Sequence, residues 1–109
     1  MATNFKTTVI PEIGTTPSTL VSSTPNSRNT IIGLSLSNIT ESIVKVSVTL
    51  TDSANTTGYY IKDILIPPNA SLKVVNGGEK LILSSSCTLS VLADSDASVD
   101  AVVSYVELI

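Results

Sequence analysis

Apolar and polar residues alternate along much of this chain, and the alternation is clearest between Val44 and Thr51. In that stretch three valines and Leu50 fall on one face, while Lys45 and three hydroxyl residues fall on the other. A period of two residues is typical of a β-strand with one buried face. The pattern therefore predicts a strand from Ile43 to Thr51.

The same reading predicts eight or nine short strands along the chain. They are an edge strand around Val9-Ile10, followed by residues 18–23, 29–37, 43–51, 58–66, 71–75, 79–83, 88–92 and 99–109. Strands spaced about 8–12 residues apart are typical of a sandwich or barrel, and no segment has helical period with caps. We predict an all-β fold: a single small antiparallel, jelly-roll-like β-sandwich over residues 18–109. An edge strand and extended N-terminal arm over residues 1–17 would precede it.

Two local patterns sharpen this prediction. Asn76-Gly77-Gly78 separates two predicted strands, and Asn-Gly supplies the positive φ values of tight turns, so it predicts a hairpin. In the strand over residues 29–37, we expect Ile32, Leu34 and Leu36 to share the inner face.

The last strand breaks the alternation, because both of its faces are apolar. Val99, Ala101, Val103 and Tyr105 fall on one side. The other side carries Val102, Val106 and Leu108. One face would pack in the core, and the other would be covered by a neighbouring subunit or by the N-terminal arm. The sequence leaves those two alternatives open.

Serine and threonine make up more than a quarter of the 109 residues, whereas charged residues are sparse at 14%. The net charge of −3 disfavours nucleic-acid binding, which depends on clustered basic side chains. The basic residues stand singly: Lys6, Arg28, Lys45, Lys62, Lys73 and Lys80. We therefore expect no nucleic-acid partner.

Compartment and membrane signals are weak in this sequence. A single cysteine forms no internal disulfide, so folding would not require an oxidising compartment. Residues 1–6 lack a basic segment followed by an apolar core, so we expect no signal peptide. No apolar run approaches the roughly 18 residues of a membrane helix. We predict a soluble protein made in a cytoplasm, with no membrane partner.

Residues that commonly carry catalysis are scarce. Histidine is absent and no Gly-x-Ser-x-Gly motif occurs, so we assign no catalytic residue and expect no enzyme and no cofactor. Cys87 has no neighbouring base in sequence and is interpreted as a packing residue. Asp94, Asp96 and Asp100 have a spacing that could suit Ca²⁺, but an EF-hand would need glycine and a carboxylate where Val99 and Tyr105 stand. A solvated acidic turn is the better interpretation, so we assign no metal site.

Three segments of the chain carry a family resemblance: residues 61–72 (IKDILIPPNASL), 74–83 (VVNGGEKLIL) and 97–107 (ASVDAVVSYVE). On these segments the chain resembles a family of small β-rich virion structural proteins of tailed bacteriophages, including cyanophages. It departs from the family pattern at Asn69, where glycine is usual, and at Leu108, which adds a residue before the last isoleucine. The motifs are turns and strands, and they therefore carry no chemistry.

The resemblance implies a virion structural protein assembled in the host bacterial cytoplasm, with a capsid decoration (cement) role as the leading hypothesis. A neck, tail or baseplate component is the alternative within that class. A carbohydrate- or host-surface-binding module, with Tyr59 as its one candidate loop aromatic, is the alternative of another class. Expected partners are the major capsid protein and further copies of the chain, as a homo-oligomer of trimeric order. The residues expected at subunit contacts are Val9, Ile10, Val102, Val106, Leu108 and Ile109.

Overall fold

The fold was analysed in a computed structural model, which describes residues 2–75 and 80–109. The described residues form nine strands: β1 (Thr3–Ile13), β2 (Ser18–Ser22), β3 (Arg28–Asn38), β4 (Val44–Thr51), β5 (Thr57–Ile66), β6 (Ser71–Val75), β7 (Leu81–Leu83), β8 (Thr88–Ala93) and β9 (Val99–Leu108). None of these residues belongs to a helix that is long and apolar enough to cross a membrane.

The strands form two antiparallel sheets that pack face to face. Sheet A has the order β1-β9-β3-β6, with β7 also pairing β3, and sheet B has the order β2-β8-β4-β5. Consecutive strands of the chain alternate between the sheets in the first half, and this crossing pattern is that of a jelly roll. The predicted all-β, jelly-roll-like sandwich is confirmed.

The core is a single apolar layer between the two sheets. Its fully buried side chains come from both inner faces, with Ile31, Leu34 and Val103 from sheet A and Val48 and Val91 from sheet B. Residues at alternate positions of each strand enter this layer because successive side chains of a strand point to opposite faces. Burial of each such side chain contributes about 1.5–3 kcal/mol to stability.

A β-bulge in β3 contradicts the prediction that Ile32 lies on the inner face. The pairing of β3 with β9 shifts register between Ile31 and Gly33, so Ile32 is an extra residue on its strand. Ile31 is fully buried and Ile32 is 37% exposed, whereas Leu34 and Leu36 are buried as expected. An inserted residue reverses the alternation, and the prediction for Ile32 was therefore wrong.

The predicted hairpin between residues 71–75 and 79–83 is also wrong. β6 pairs antiparallel with β3 at residues 34–37, and β7 pairs antiparallel with β3 at residues 29–31. Two strands that are both antiparallel to β3 run in the same direction, whereas the arms of a hairpin run in opposite directions. The turn itself, Asn76-Gly77-Gly78, lies outside the described residues.

The turn after β5 requires an unusual backbone conformation at position 69. Asn69 has a φ of 53°, in the left-handed region. Glycine enters this region freely, and asparagine is among the few other residues that tolerate it. Asparagine is therefore a suitable residue for this turn.

A buried amide joins the ends of the two sheets. Asn38, the last residue of β3, is 2% exposed. Its Nδ2 donates to the carbonyl oxygens of Ser42 at 2.7 Å and Ile66 at 3.0 Å, and its Oδ1 accepts from the Thr40 backbone N–H at 2.9 Å. Ile66 ends β5 in sheet B, so one side chain connects a sheet A strand, the corner loop and a sheet B strand.

Replacing Asn38 by alanine should therefore destabilise the fold. The substitution removes both donors and the acceptor from a buried corner, and we expect the free energy of unfolding to fall by about 2–3 kcal/mol. Urea denaturation followed by circular dichroism measures this change. Asn26→Ala, at an exposed position, is the matched control and should stay within about 0.5 kcal/mol of the parent. Equal effects of the two substitutions would contradict the assigned role of Asn38.

Candidate functional site

The outward-facing surface of sheet A is the candidate site. Along its edge strand, Phe5 pairs with Val106 and Val9 pairs with Val102 of β9. Ala2 and Ile109 form a hydrogen-bonded pair, in which each backbone N–H donates to the other residue's carbonyl oxygen at 2.9 Å. Hydrogen-bonded and non-hydrogen-bonded pairs alternate along an antiparallel ladder, so the odd-numbered residues of β1 form non-hydrogen-bonded pairs with β9. Non-hydrogen-bonded pairs bring their side chains closest together. Phe5 therefore lies opposite Val106, and Val9 opposite Val102, at the closer of the two cross-strand spacings.

The rows continue across the sheet through polar residues of β3. Val106 pairs with Thr30 of β3, which pairs with Ile82 of β7. Two rows further along, beyond the pair of Ser104 with Gly33, Val102 pairs with Ser35, which pairs with Lys73 of β6. We call this surface the outer face of sheet A; its members are Phe5, Thr7, Val9, Thr30, Ile32, Gly33, Ser35, Lys73, Ile82, Val102, Ser104, Val106 and Leu108.

Several large apolar side chains of this face are open to solvent. Phe5 is 81% exposed, Ile82 65%, Val9 60% and Val102 41%. Isolated exposed apolar residues are ordinary, but several large ones on one sheet face indicate an interaction surface. These residues therefore form the strongest candidate for a binding surface in the described part of the chain.

Charges lie around the outer face of sheet A rather than across its centre. Arg28 pairs with Leu108 at one end of the face, Asp100 pairs with Ser37 at the other, and Lys73 lies on β6 at the edge of the sheet. A centre depleted of charged residues is the usual anatomy of a protein interface.

A depression in the outer face of sheet A follows from the bulge in β3. Gly33 pairs with Ser104, and this pair of small residues leaves a hollow of about 450 Å³ bordered by Ile32, Val102 and Lys73. The bulge turns Ile32 outward at the rim of this hollow. The bulge that removes one isoleucine from the core therefore adds it to the candidate surface.

Lys6 lies beside this face without adding a free charge to it. Its Nζ is 3.0 Å from Oε1 of Glu107, which is mostly buried. The hydrogen bond and the opposite charge of Glu107 raise the pKa of Lys6 above its ordinary value. Lys6 therefore remains protonated and tied to its own chain, with its side chain on the opposite side of β1 from Phe5.

The structure divides the residues expected at subunit contacts. Val9, Val102, Val106 and Leu108 lie together on the outer face of sheet A. Ile10 has the opposite parity in β1 and packs against the core. Ile109 is 52% exposed at the end of the chain, where its backbone pairs with Ala2. The N-terminal segment pairs beside β9 rather than over it, so among the described residues it does not cover the outer side of Val102.

Sequence reasoning missed three large apolar members of this face: Phe5, Ile32 and Ile82. Phe5 stands in the segment predicted as an edge strand and extended arm, and Ile32 is displaced by the bulge. Ile82 joins the face because β7 adds to the edge of β3. The local signal in this segment was that Phe5 and Val9, both apolar, stand an even number of residues apart and would share one side of a strand.

The outward-facing surface of sheet B has a different chemistry. Thr51 pairs with both Thr57 and Thr88, and Thr88 pairs with Ser22. The hydroxyls are 2.8 Å apart between Thr51 and Thr57, and 3.3 Å apart between Ser22 and Thr88. These hydroxyl pairs form a polar row on the face, which also carries the pair of Lys45 with Leu65 and the pair of Thr49 with Tyr59. The outer face of sheet B therefore mixes hydroxyl, charged and apolar side chains.

The acidic residues singled out from the sequence make separate contacts. Oδ1 of Asp94 accepts from the Lys45 backbone N–H at 3.0 Å, and Oδ1 of Asp100 accepts from the Glu12 N–H at 2.9 Å. Asp96 instead accepts from the Thr15 hydroxyl at 3.3 Å. Among the described residues, no three acidic, cysteine or histidine side chains are grouped as a metal would require. These carboxylates therefore organise loops.

Cys87 is buried as a free thiol near the start of β8. It belongs to the apolar core, and its Sγ lies 3.8 Å from the carbonyl oxygen of Ser85. Its surroundings are those of a packing residue.

A smaller depression of about 300 Å³ lies at the hairpin between β4 and β5. Tyr59, Tyr60 and Asp52 contribute to its lining, and Tyr59 is 57% exposed. The ammonium of Lys62 lies 5.3 Å from the centre of the Tyr59 ring and 2.9 Å from Oδ2 of Asp63. This ion pair lowers the pKa of Asp63 and raises that of Lys62. Tyr59 is therefore an aromatic surface with one face held by a cation.

Comparison with known proteins identifies the fold but no family. No protein-family model matches the chain, and no curated protein matches it. Among solved structures, a chain from Bacillus endospore appendages, described as a novel family of disulfide-linked pili, superposes with a TM-score of 0.57. That match has 10% identity and covers 96% of this chain and 86% of the pilus chain. It shows a shared fold.

Two viral chains give weaker structural matches. One belongs to the T13 IBDV viral particle, with 12% identity, a TM-score of 0.47 and coverage of 96% of this chain and 30% of that one. The other belongs to the infectious bursal disease virus Gx strain, with 10% identity, a TM-score of 0.43 and coverage of 96% and 35%. This chain therefore spans about a third of those viral chains.

If the outer face of sheet A is free in the isolated chain, truncating its most exposed side chain should leave stability unchanged. We expect Phe5→Ala to alter the free energy of unfolding by less than about 0.5 kcal/mol. The inner-face control in the same sheet, Ile31→Ala, should cost about 2–5 kcal/mol. Both are measured by urea denaturation at a protein concentration low enough to keep the chain monomeric. A Phe5→Ala cost near that of Ile31→Ala would show that Phe5 belongs to the core.

Proposed function

We propose that this chain is a structural subunit of a bacteriophage particle, and specifically a capsid decoration (cement) protein. The observation that carries the proposal is the outer face of sheet A, where exposed apolar side chains on neighbouring strands have no role in the chain's own core. The phage-family resemblance of residues 61–107 gives the proposal its class. The fold shared with a pilus chain supports a role in assembly, because a similar sandwich occurs there as a subunit of a fibre.

The mechanism of a decoration protein is contact. Burial of Phe5, Val9 and Val102 against another virion protein would release ordered water and join two subunits of the particle. The major capsid protein is the proposed partner, together with further copies of this chain. The proposed location is the virion, which would be assembled in the host bacterial cytoplasm.

The area of the outer face of sheet A fits a contact that binds weakly by itself and gains strength when it is repeated over a particle. Four strands about 4.8 Å apart, with about eight residues of 3.3 Å each, span about 500 Å². Burial against a partner would remove about 1,000 Å² from solvent in total, the lower limit for a specific interface. A particle that repeats such a contact over its surface gains the sum of many of them. The proposal therefore requires many copies of the chain on each particle.

Copy number in purified particles tests the location. We expect quantitative mass spectrometry of particles from a host that carries the gene to find hundreds of copies per particle, as a head protein requires. A few to several dozen copies would instead place the chain in the neck, tail or baseplate. Absence from the particle would overturn the virion proposal.

Charge placed on the outer face of sheet A tests the proposed contact. The double substitution Val102→Lys and Val106→Lys should abolish incorporation into particles, since lysines would be desolvated at the interface. It should leave the circular dichroism spectrum unchanged, because these side chains lie outside the core. Thr19→Lys, on the outward side of sheet B, is the matched control and should incorporate normally. Normal incorporation of the double variant would exclude this face as the contact.

A carbohydrate-binding module is the second candidate, and the Tyr59 depression is the observation that favours it. An exposed aromatic ring beside the Asp52 carboxylate combines a stacking surface with a hydrogen-bond acceptor. A glycan array probed with the isolated protein tests this function. A signal that is lost in Tyr59→Ala and kept in Phe5→Ala would support it, whereas an array without signals would remove it.

A further inference from the structure

The edge of β1 presents a regular row of unused backbone groups. Ala2 and Ile109 are a hydrogen-bonded pair, and the register from Thr3–Leu108 to Ile10–Ala101 runs without interruption over eight pairs. Even-numbered residues of β1 therefore direct their N–H and C=O toward β9. Thr3, Phe5, Thr7 and Val9 direct theirs away from the sheet, to the open edge.

The other edges of the described sheets are protected. β2 and β6 have five residues each and β7 has three, which limits pairing. β5 is long, but its register with β4 shifts twice, and Asp63 has a positive φ of 50°. Short edges, bulges and charged residues are the usual ways in which proteins prevent edge-to-edge association. β1 lacks these devices before Pro11, and the one charged residue in that part of the strand, Lys6, is tied to Glu107.

We propose that β1 pairs antiparallel with β1 of a second copy of this chain, about a two-fold axis that passes through Thr7. The inference deepens the self-association within the proposed function and names its strand, register and symmetry. The Thr7 residues of the two copies would form a hydrogen-bonded pair at the axis. Phe5 of each copy would pair with Val9 of the other, so three pairs would supply six backbone hydrogen bonds.

The side chains of β1 select this register from its neighbours. With the axis at Thr7, both Phe5–Val9 contacts join an aromatic and a β-branched residue, a favourable cross-strand combination. An axis at Lys6 would place the two lysines directly opposite each other, and like charges in that position are destabilising. An axis at Phe5 would shift Val9 beyond Thr3 of the second copy, which removes one of the apolar contacts.

Pairing at β1 also enlarges the candidate surface. The two copies of sheet A would become one continuous sheet, and their outer faces would meet along Phe5 and Val9. The joined face would span about 1,000 Å² instead of about 500 Å². A contact that buries both halves would then remove about 2,000 Å² from solvent in total, the upper end of the standard size of specific interfaces. Pairing with a second copy at β1 therefore gives the outer face of sheet A the area that a specific interface requires.

The mass of the isolated protein tests the proposal. We expect sedimentation velocity at micromolar concentration to give twice the 11.3 kDa mass of the chain. Thr7→Pro removes an N–H that points to the open edge, where proline is tolerated in the fold. It should raise the dissociation constant of the dimer about tenfold or more, since two hydrogen bonds at the axis are lost. Thr7→Val, which keeps the N–H and the β-branched shape, is the matched control and should remain dimeric.

A disulfide crosslink tests the register independently of the proline variant. In a Cys87→Ala background, Thr7→Cys should form a covalent dimer on mild oxidation, because Cα atoms of a hydrogen-bonded pair lie about 5.5 Å apart, within disulfide range. Thr3→Cys is the control on the same strand; its two copies would lie about eight residues apart and should not crosslink. A dimer without the Thr7→Cys crosslink would exclude this register.

The outcomes separate this inference from the proposed function. A monomer of the unmodified protein at micromolar concentration would overturn β1 pairing, as would the trimer expected from the sequence, since two antiparallel β1 strands close a two-fold pair. Either result would leave incorporation into particles to be decided by the Val102→Lys, Val106→Lys experiment. A β1 dimer in a protein that is absent from particles would leave the pairing intact and overturn the virion proposal.

Discussion

The rest of the structure depends on the hydrogen-bonded ladder through β9. This strand lies between β1 and β3, so it holds the first and third strands of the chain in one sheet. Val99, Ala101 and Val103 are fully buried against sheet B, and alternation then forces Val102 and Val106 to the outer side. The core and the candidate surface are consequently two sides of the same strand. A strand with alternating polarity could close the core equally well, so closure of the core does not account for the apolar outer side.

The sandwich is closed at its corner by polar contacts that the apolar layer cannot replace. Asn38 is buried where the chain leaves sheet A for sheet B, and backbone carbonyls at such a corner have no strand partner. Its amide supplies donors to those carbonyls while its oxygen accepts from Thr40. The surrounding backbone is satisfied locally too, with Ile39 N–H donating to the Ser98 carbonyl oxygen at 2.9 Å. The direction of the crossover is thus specified by a few hydrogen bonds, and the energy of the fold comes mainly from the layer beneath them.

The alternation of apolar and hydroxyl residues was sufficient to predict the strands, because a strand in a sandwich needs one apolar side wherever it lies. It was insufficient where the structure inserts a residue. The bulge at Ile32 has no local signature, since Ile31 and Ile32 are both apolar and either could face the core. The hairpin predicted at Asn76-Gly77 failed for a related reason: the local pattern does not reveal that β6 and β7 both pair with β3. For the candidate site, the two-sided β9 was visible in sequence, whereas the contribution of Phe5 and Ile82 depends on which distant strands adjoin it.

The contacts proposed for this chain lie on one side of the sandwich. They use the outer face of sheet A and the edge of β1, which adjoin at Phe5 and Val9. An isologous pair at that edge uses up the edge of both copies, so it ends in a closed unit rather than a growing sheet. In the proposed dimer, the outer face of sheet A would stay open for binding to a larger assembly. Under this proposal the specificity of a protein with few reactive side chains comes from the position of its exposed apolar residues and of its unpaired strand edge.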